Sequence, residues 1–164
     1  MGSVAKNVKS RCFRCELYED TGSYNFMDVR DYIESHYDFV AIRHDKDTFD
    51  EDGENHKKGD TKKTHWHYII RWEKAPRTAS GVAKELGIEE RFVMPVYGGD
   101  NTRTGLKASL LYLTHVDELD KYQYDFLRLS GRGNLIRARW ENFITFGVFT
   151  PKNFVFLVMK NYFR

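Results

Sequence analysis

The stretch Thr64-His65-Trp66-His67-Tyr68-Ile69-Ile70 constrains this chain most, because it sets two imidazoles two residues apart inside a run of strand-forming residues. Side chains alternate along a strand, so His65 and His67 share one face while Trp66 and Tyr68 take the other. A second apolar run, Tyr37 to Arg43, ends in His44-Asp45-Lys46-Asp47. Imidazoles together with carboxylates make a mixed donor set suited to a divalent cation that works on phosphate oxygens.

The rest of the chain supplies elements of alternating type. Arg11 to Tyr18 alternates Phe13, Cys15 and Leu17 with Arg14 and Glu16, the pattern of a half-buried strand. Asn25 to Ser35 places Phe26, Val29 and Ile33 at helical spacing, with Asn25 or Ser23 as cap, and Tyr37 to Arg43 is the next strand. The polar segment from Asp47 to Lys63 predicts a long exposed loop, a candidate flap, leading into the histidine strand. Thr78 to Leu86 carries an apolar stripe closed by Gly87, a second helix. Arg91 to Tyr97 predicts an edge strand, since Pro95 has no N–H to donate to a ladder. A third helix, capped by Asn101 or Thr102, is expected to run to about His115 with Leu106, Leu110 and Leu113 as its core stripe; Tyr112 lies off that stripe. Short connections and the lack of a glycine-rich phosphate loop argue against a doubly wound nucleotide-binding fold. The expectation is an α+β sandwich, an antiparallel sheet in β-α-β-β-α-β order with helices packed on it, in the manner of ferredoxin-like and RRM-like folds.

Charge narrows function little: 30% of the residues are charged but the net charge is only +2. Its distribution says more, because Lys57, Lys58, Lys62 and Lys63 cluster just before the histidine strand and no acid follows Glu141. The spacing of Cys12 and Cys15 invites a metal reading, yet on a strand they point to opposite faces, and no second pair exists to complete a zinc ribbon. Reduced cysteines, no apolar leader and no run of membrane-spanning length predict a cytoplasmic protein without a membrane partner.

The order HDKD from His44, a charged loop, KKTHWHYII from Lys62, then YLTH from Tyr112 to His115 resembles the HUH endonuclease domain of rolling-circle plasmid replication initiators. The resemblance covers roughly Arg11 to Asp125 and fades beyond Lys121, which divides the chain into an endonuclease domain over 1–125 and a mostly helical appendage, or the start of a further domain, over 126–164. It implies metal ligands His44, Asp47, His65 and His67, a manganese or magnesium ion rather than structural zinc, and Tyr112 as the nucleophile. Asp45 fits less well, because in an extended chain Asp47 shares the parity of His44 and Asp45 does not. The implied reaction joins Tyr112 to a 5′-phosphate and frees a 3′-hydroxyl primer. No tyrosine lies one helical turn away, since Ala108 and Val116 hold those positions, so the chain resembles the single-tyrosine members. DNA, single-stranded or as a hairpin origin, is the implied partner, with host replication proteins and an oligomeric state as further expectations.

Two other classes stay open at this point. A non-catalytic single-stranded nucleic-acid binder would stack bases on Trp66, Tyr68, Trp72 and Tyr97. A metal-dependent hydrolase would use activated water and form no covalent link to Tyr112. In each case Lys57, Lys58, Lys62, Lys63, Trp66 and Tyr68 are the candidate DNA contacts.

Overall fold

The computed structural model describes residues 8–98 and 105–135. Strand β1 (Cys12–Tyr18), helix α1 (Phe26–His36), strands β2 (Asp38–His44) and β3 (His65–Arg71), helix α2 (Ala79–Leu86) and strand β4 (Val93–Pro95) come in the expected β-α-β-β-α-β order. Helix α3 (Leu106–Tyr112) and a short strand β5 (Ser130–Arg132) follow. The five strands form one antiparallel sheet in the order β4-β1-β3-β2-β5, so the histidine strand is central, flanked by β1 and β2 along its whole length. The fold is α+β, consistent with an HUH endonuclease-like domain.

Alternation along the strands sorts the core into two layers. On one face Phe13, Cys15, Leu17, Phe39, Ala41, Tyr68 and Ile70 are buried under Val29 and Ile33 of α1 and Val82, Ala83 and Leu86 of α2. On the other face Val40, Ile42 and Ile69 pack against Leu110 and Leu113, with Cys12 and Leu106 at the border. Cys12 and Cys15 thus belong to opposite layers, as their spacing predicts. Tyr124 and Leu135 join the two leucines over this second face, and the Leu113 carbonyl meets the His44 ring at its edge.

Helix boundaries follow local chemistry. Asn25 caps α1 by accepting from the amides of Met27 and Asp28, and Thr78 caps α2 by accepting from Gly81. Gly87 ends α2 at φ 68°, a left-handed conformation that glycine adopts without a Cβ penalty. The expected third helix is shorter than its periodicity suggests, ending at Tyr112, and its expected caps Asn101 and Thr102 lie outside the described residues. The expected strand from Arg91 is reduced to three residues by a 3₁₀ turn over Glu90–Phe92, but β4 is an edge strand with Pro95 in it, as the missing N–H requires.

The segment between β2 and β3 is not a featureless loop. It doubles back through paired backbone contacts, Thr48 opposite Thr61 and Gly53 opposite His56, and the Phe49 ring stacks on His56 at 3.5 Å between centroids. The Lys62 amide donates to the Asp47 carbonyl at 2.7 Å, closing the excursion where both histidine-bearing strands end. Beyond residue 125, β5 pairs with β2 and Phe126 and Leu135 are buried, so the sheet extends past the stretch covered by the motifs; the rest of the appendage expected over 126–164 lies outside the described residues.

An ionic hub joins α1, β2 and α2. Glu85 accepts from the hydroxyls of Tyr37 and Tyr32 and pairs with Arg77, whose guanidinium lies over the Trp72 ring. Arg77 above all, with Tyr37 and Tyr32, holds the Glu85 carboxyl below its usual range against the opposing effect of partial burial. A depressed carboxyl pKa stabilises the fold above the unfolded-state value and loses that contribution as pH falls. We expect Glu85→Gln to be less stable than wild type at pH 7 and the gap to narrow below about pH 4.5, near the ordinary glutamate pKa. Urea melts at pH 7 and pH 3.5 check this; a gap that widens on acidification would exclude the hub as its origin.

Candidate metal centre and nucleophile

Two strands and a turn bring the donors together. β2 and β3 pair His44 directly opposite His65, and His67 lies two residues further along the same face. The chain leaves β2 so that Asp47 curls back under His44: its carboxylate sits 3.0 Å from His44 Nδ1 and 3.4 Å from His65 Nε2. His44, Asp47, His65 and His67 each offer a ligand atom, and these atoms lie within 4.8 Å of one another. Asp45, by contrast, is turned away and clamped by both terminal nitrogens of Arg128 at 3.1 and 3.0 Å, with Arg43 alongside. The chain bends at Asp45 and Lys46 instead of staying extended past His44, so the turn, and not strand parity, is what separates the two carboxylates.

The ring orientations suit a cation. His65 Nδ1 lies 2.8 Å from the Lys63 carbonyl and His44 Nε2 lies 2.8 Å from the Leu113 carbonyl. Carbonyl oxygens only accept, so those nitrogens carry protons, and the opposite ring nitrogens, His44 Nδ1 and His65 Nε2, point inward at Asp47, where each either donates a second proton to the carboxylate or offers a lone pair to a cation. His65 Nε2 and His67 Nε2 then face each other at 3.1 Å. Two inward lone pairs at that distance repel unless a proton or a metal ion stands between them, so the residues present fit a divalent ion with nitrogen and oxygen ligands.

The electrostatics agree. Burial alone would raise the Asp47 carboxyl, but hydrogen bonds from His44, His65 and Tyr124 outweigh it and hold the group ionised far below the usual carboxylate range. Burial first, and then the neighbouring His44 and His65, push His67 well below the ordinary histidine range, keeping its ring neutral. For His65 burial works downward, yet the Asp47 carboxylate and the Lys63 carbonyl raise it overall.

Tyr112, at the last turn of α3, stands beside this group. Its ring meets His67 edge-on at 5.4 Å between centroids, and burial raises its phenol above the ordinary value while Lys121 acts in the opposite sense. Three residues without an assigned role in the sequence complete the surroundings. Tyr124 stacks on His44 at 4.1 Å and donates to Asp47 at 2.8 Å, and its oxygen accepts from the Lys46 amide. His115 is fully buried in a left-handed conformation, φ 56°, with Nδ1 2.9 Å from the Tyr122 carbonyl. Lys121 reaches the Tyr112 hydroxyl. His115 stood in view at the end of YLTH, but spacing gives no hint of its backbone; Tyr124 arrives from 77 positions away in sequence, beyond any local pattern.

The expected DNA contacts fare differently. Tyr68 requires correction: it lies on the helix side of the sheet, fully buried, with its hydroxyl bonded to Glu34, so no base can stack on it while the core is intact. Trp66 shares that side, half-buried against Phe26 and donating to Glu19, and thus faces away from the histidines. Lys57 pairs with Asp52 at 3.3 Å, Lys62 lies over Phe49, and Lys63 is 4.0 Å from Asp20; Lys57, Lys58 and Lys63 are exposed. None of the described helices is long and apolar enough to cross a membrane.

Comparison with known proteins adds two findings. Residues 5–134 match the family model described as plasmid replication protein, origin binding domain. A replication protein of Onion yellows phytoplasma (strain OY-M) is 33% identical over 91 residues, a stretch that covers 53% of this chain and 22% of that relative. The chain thus matches less than a quarter of the relative's length.

Proposed function

We propose, for a chain that belongs to the origin-binding domain family of plasmid replication proteins, that it binds a replication origin and nicks one DNA strand by tyrosine transesterification. His44, Asp47, His65 and His67 would hold a manganese or magnesium ion, which supplies positive charge for the non-bridging oxygens of the scissile phosphate. Tyr112 attacks that phosphorus, keeping the energy of the broken bond in a 5′-phosphotyrosyl link and releasing a 3′-hydroxyl. His67 presents a neutral nitrogen toward the site with His65 beside it, Asp47 brings one fixed negative charge, and Tyr124 holds that carboxylate in place. The observation that carries this reading is the edge contact of Tyr112 with His67, because it sets a phenol against the one group of donors suited to a cation among the described residues. The binder reading loses Tyr68 from its stacking residues, since that ring is inside the core, while Tyr97 stays exposed.

The test mixes the protein with a labelled single-stranded origin oligonucleotide and manganese, then separates the products on a denaturing gel. We expect a protein-linked DNA band that chelator abolishes. Cleavage without that band would support a metal-dependent hydrolase, and binding indifferent to metal would support a non-catalytic module. Recruitment of host replication proteins and assembly into an oligomer belong to the same proposal.

The lysines are proposed as backbone contacts. Changing Lys57, Lys58, Lys62 and Lys63 together to Ala should weaken binding of unrelated sequences equally and lower the salt dependence, by about 0.7 in log-log slope for each single-strand phosphate no longer neutralised. Fluorescence anisotropy across a salt series measures this. An unchanged slope would assign the four lysines to ordinary solvation and to the pairs with Asp52 and Asp20.

A further inference from the structure

The chain reverses direction immediately after Tyr112. Helix α3 stops there, His115 takes its left-handed conformation, the Glu118 amide donates back to the His115 carbonyl at 2.9 Å, and the Lys121 amide donates to the Glu118 carbonyl at 3.0 Å. A residue other than glycine rarely adopts that backbone, and it persists only where surrounding contacts over-determine it. Here the His115 ring is pinned to the Tyr122 carbonyl and packed edge-on against Tyr112 at 5.0 Å. The result of the reversal is a lysine laid over the tyrosine. Lys121 Nζ stands 3.5 Å from the Tyr112 hydroxyl oxygen and 4.8 Å from the centre of its ring, and Glu118 grips the same ammonium from the other side.

We propose that Lys121 is a catalytic residue, an ammonium that stabilises the negative charge developing on the Tyr112 oxygen as it attacks and leaves phosphorus. This rests on Tyr112 being the nucleophile. The Tyr112 ring is half-buried, and the Lys121 ammonium is the cationic side chain that the described contacts set on its oxygen and over its ring. The Lys121 side chain is only 24% exposed, so its charge is screened less than that of a surface lysine. The covalent step balances without an added reagent. The bond from Tyr112 oxygen to phosphorus forms, the bond from phosphorus to the DNA 3′-oxygen breaks, the phenol proton passes to water, and a proton from water caps the 3′-oxygen. Lys121 remains protonated throughout. In the reverse direction the same ammonium stabilises the departing phenolate, so rejoining of the strand is served by the same contact.

The experiment measures single-turnover nicking of a labelled oligonucleotide at saturating manganese in full-length wild type, Lys121→Met and Lys121→Arg. It adds Lys121→Cys before and after treatment with 2-bromoethylamine, which rebuilds an ammonium on a thioether stem. Equally treated wild type controls for Cys12 and Cys15. We expect Lys121→Met to lower the rate constant about 100-fold, as loss of one charge-stabilising donor does, with oligonucleotide affinity and manganese titration unchanged. Lys121→Arg and the aminoethylated cysteine should recover most of the rate. A wild-type rate in Lys121→Met overturns the proposal, as does a loss that appears wholly as weaker DNA binding, which would make Lys121 a phosphate contact. So does a cysteine variant that stays slow after aminoethylation while its thermal melt matches wild type. If the covalent band persists in Tyr112→Phe, the parent reading has failed and this one with it; a band absent in Tyr112→Phe and merely slowed in Lys121→Met separates the two.

Discussion

Tyr112→Phe should abolish both nicking and the covalent protein-DNA band while leaving the fold and manganese binding intact. The substitution removes one oxygen from a half-buried ring whose described polar contact is the long one to Lys121, and the ring's edge contacts with His67 and His115 survive in phenylalanine. Removing a hydrogen bond of that kind costs about 1 kcal/mol or less, whereas loss of the nucleophile removes the covalent route altogether. The two effects are therefore separable in one preparation. Circular dichroism and a thermal melt report the fold, manganese titration reports the donors, and the denaturing gel reports the chemistry. A band that persists would move the nucleophile to Tyr122 or Tyr124. The geometry makes Tyr124 a poor substitute, because its oxygen already donates to Asp47 and accepts from the Lys46 amide and its ring is stacked on His44.

What was legible in the sequence is what depends on period and on local caps. The alternation in Thr64 to Ile70 placed His65 and His67 on one face, and the same alternation put Cys12 and Cys15 in different layers. Pro95 marked an edge strand, and Asn25 and Gly87 marked helix ends because each satisfies or releases backbone groups within four residues of itself, whereas Thr78, read as helical, is the cap of α2. Hidden were features set by contacts distant in sequence. Asp47 is held by Tyr124 from 77 positions away, β5 adds itself to the far edge of β2, and the polar excursion after Asp47 acquires order from Phe49 on His56 and from pairing across its own stem. The error over Tyr68 has the same root. Period two said only that it opposed the histidines; that this opposite face is the one sealed by α1 and α2 follows from packing, not from the strand's own residues.

Asp47→Asn should remove most of the stabilisation that manganese gives this protein, and Asp45→Asn should leave it almost untouched. An ion that binds only the folded state at about 100 times its dissociation constant adds about 2.7 kcal/mol, worth about 5–10 °C in melting temperature for a chain of this size. The amide introduced by Asp47→Asn would keep the shape of the side chain but present a neutral oxygen to two inward nitrogens, and its NH₂ would compete for the space between them. Asp45 contributes nothing to that space: its carboxylate is taken by Arg128 and Arg43 on the outer side of the turn, partly exposed, where an ion pair is worth about 0–1 kcal/mol. Melting curves of both variants with and without manganese decide between the carboxylates. A manganese shift that survives in Asp47→Asn and vanishes in Asp45→Asn would relocate the metal to the Arg128 side of the turn and undo the assignment of His44, His65 and His67 as its other ligands.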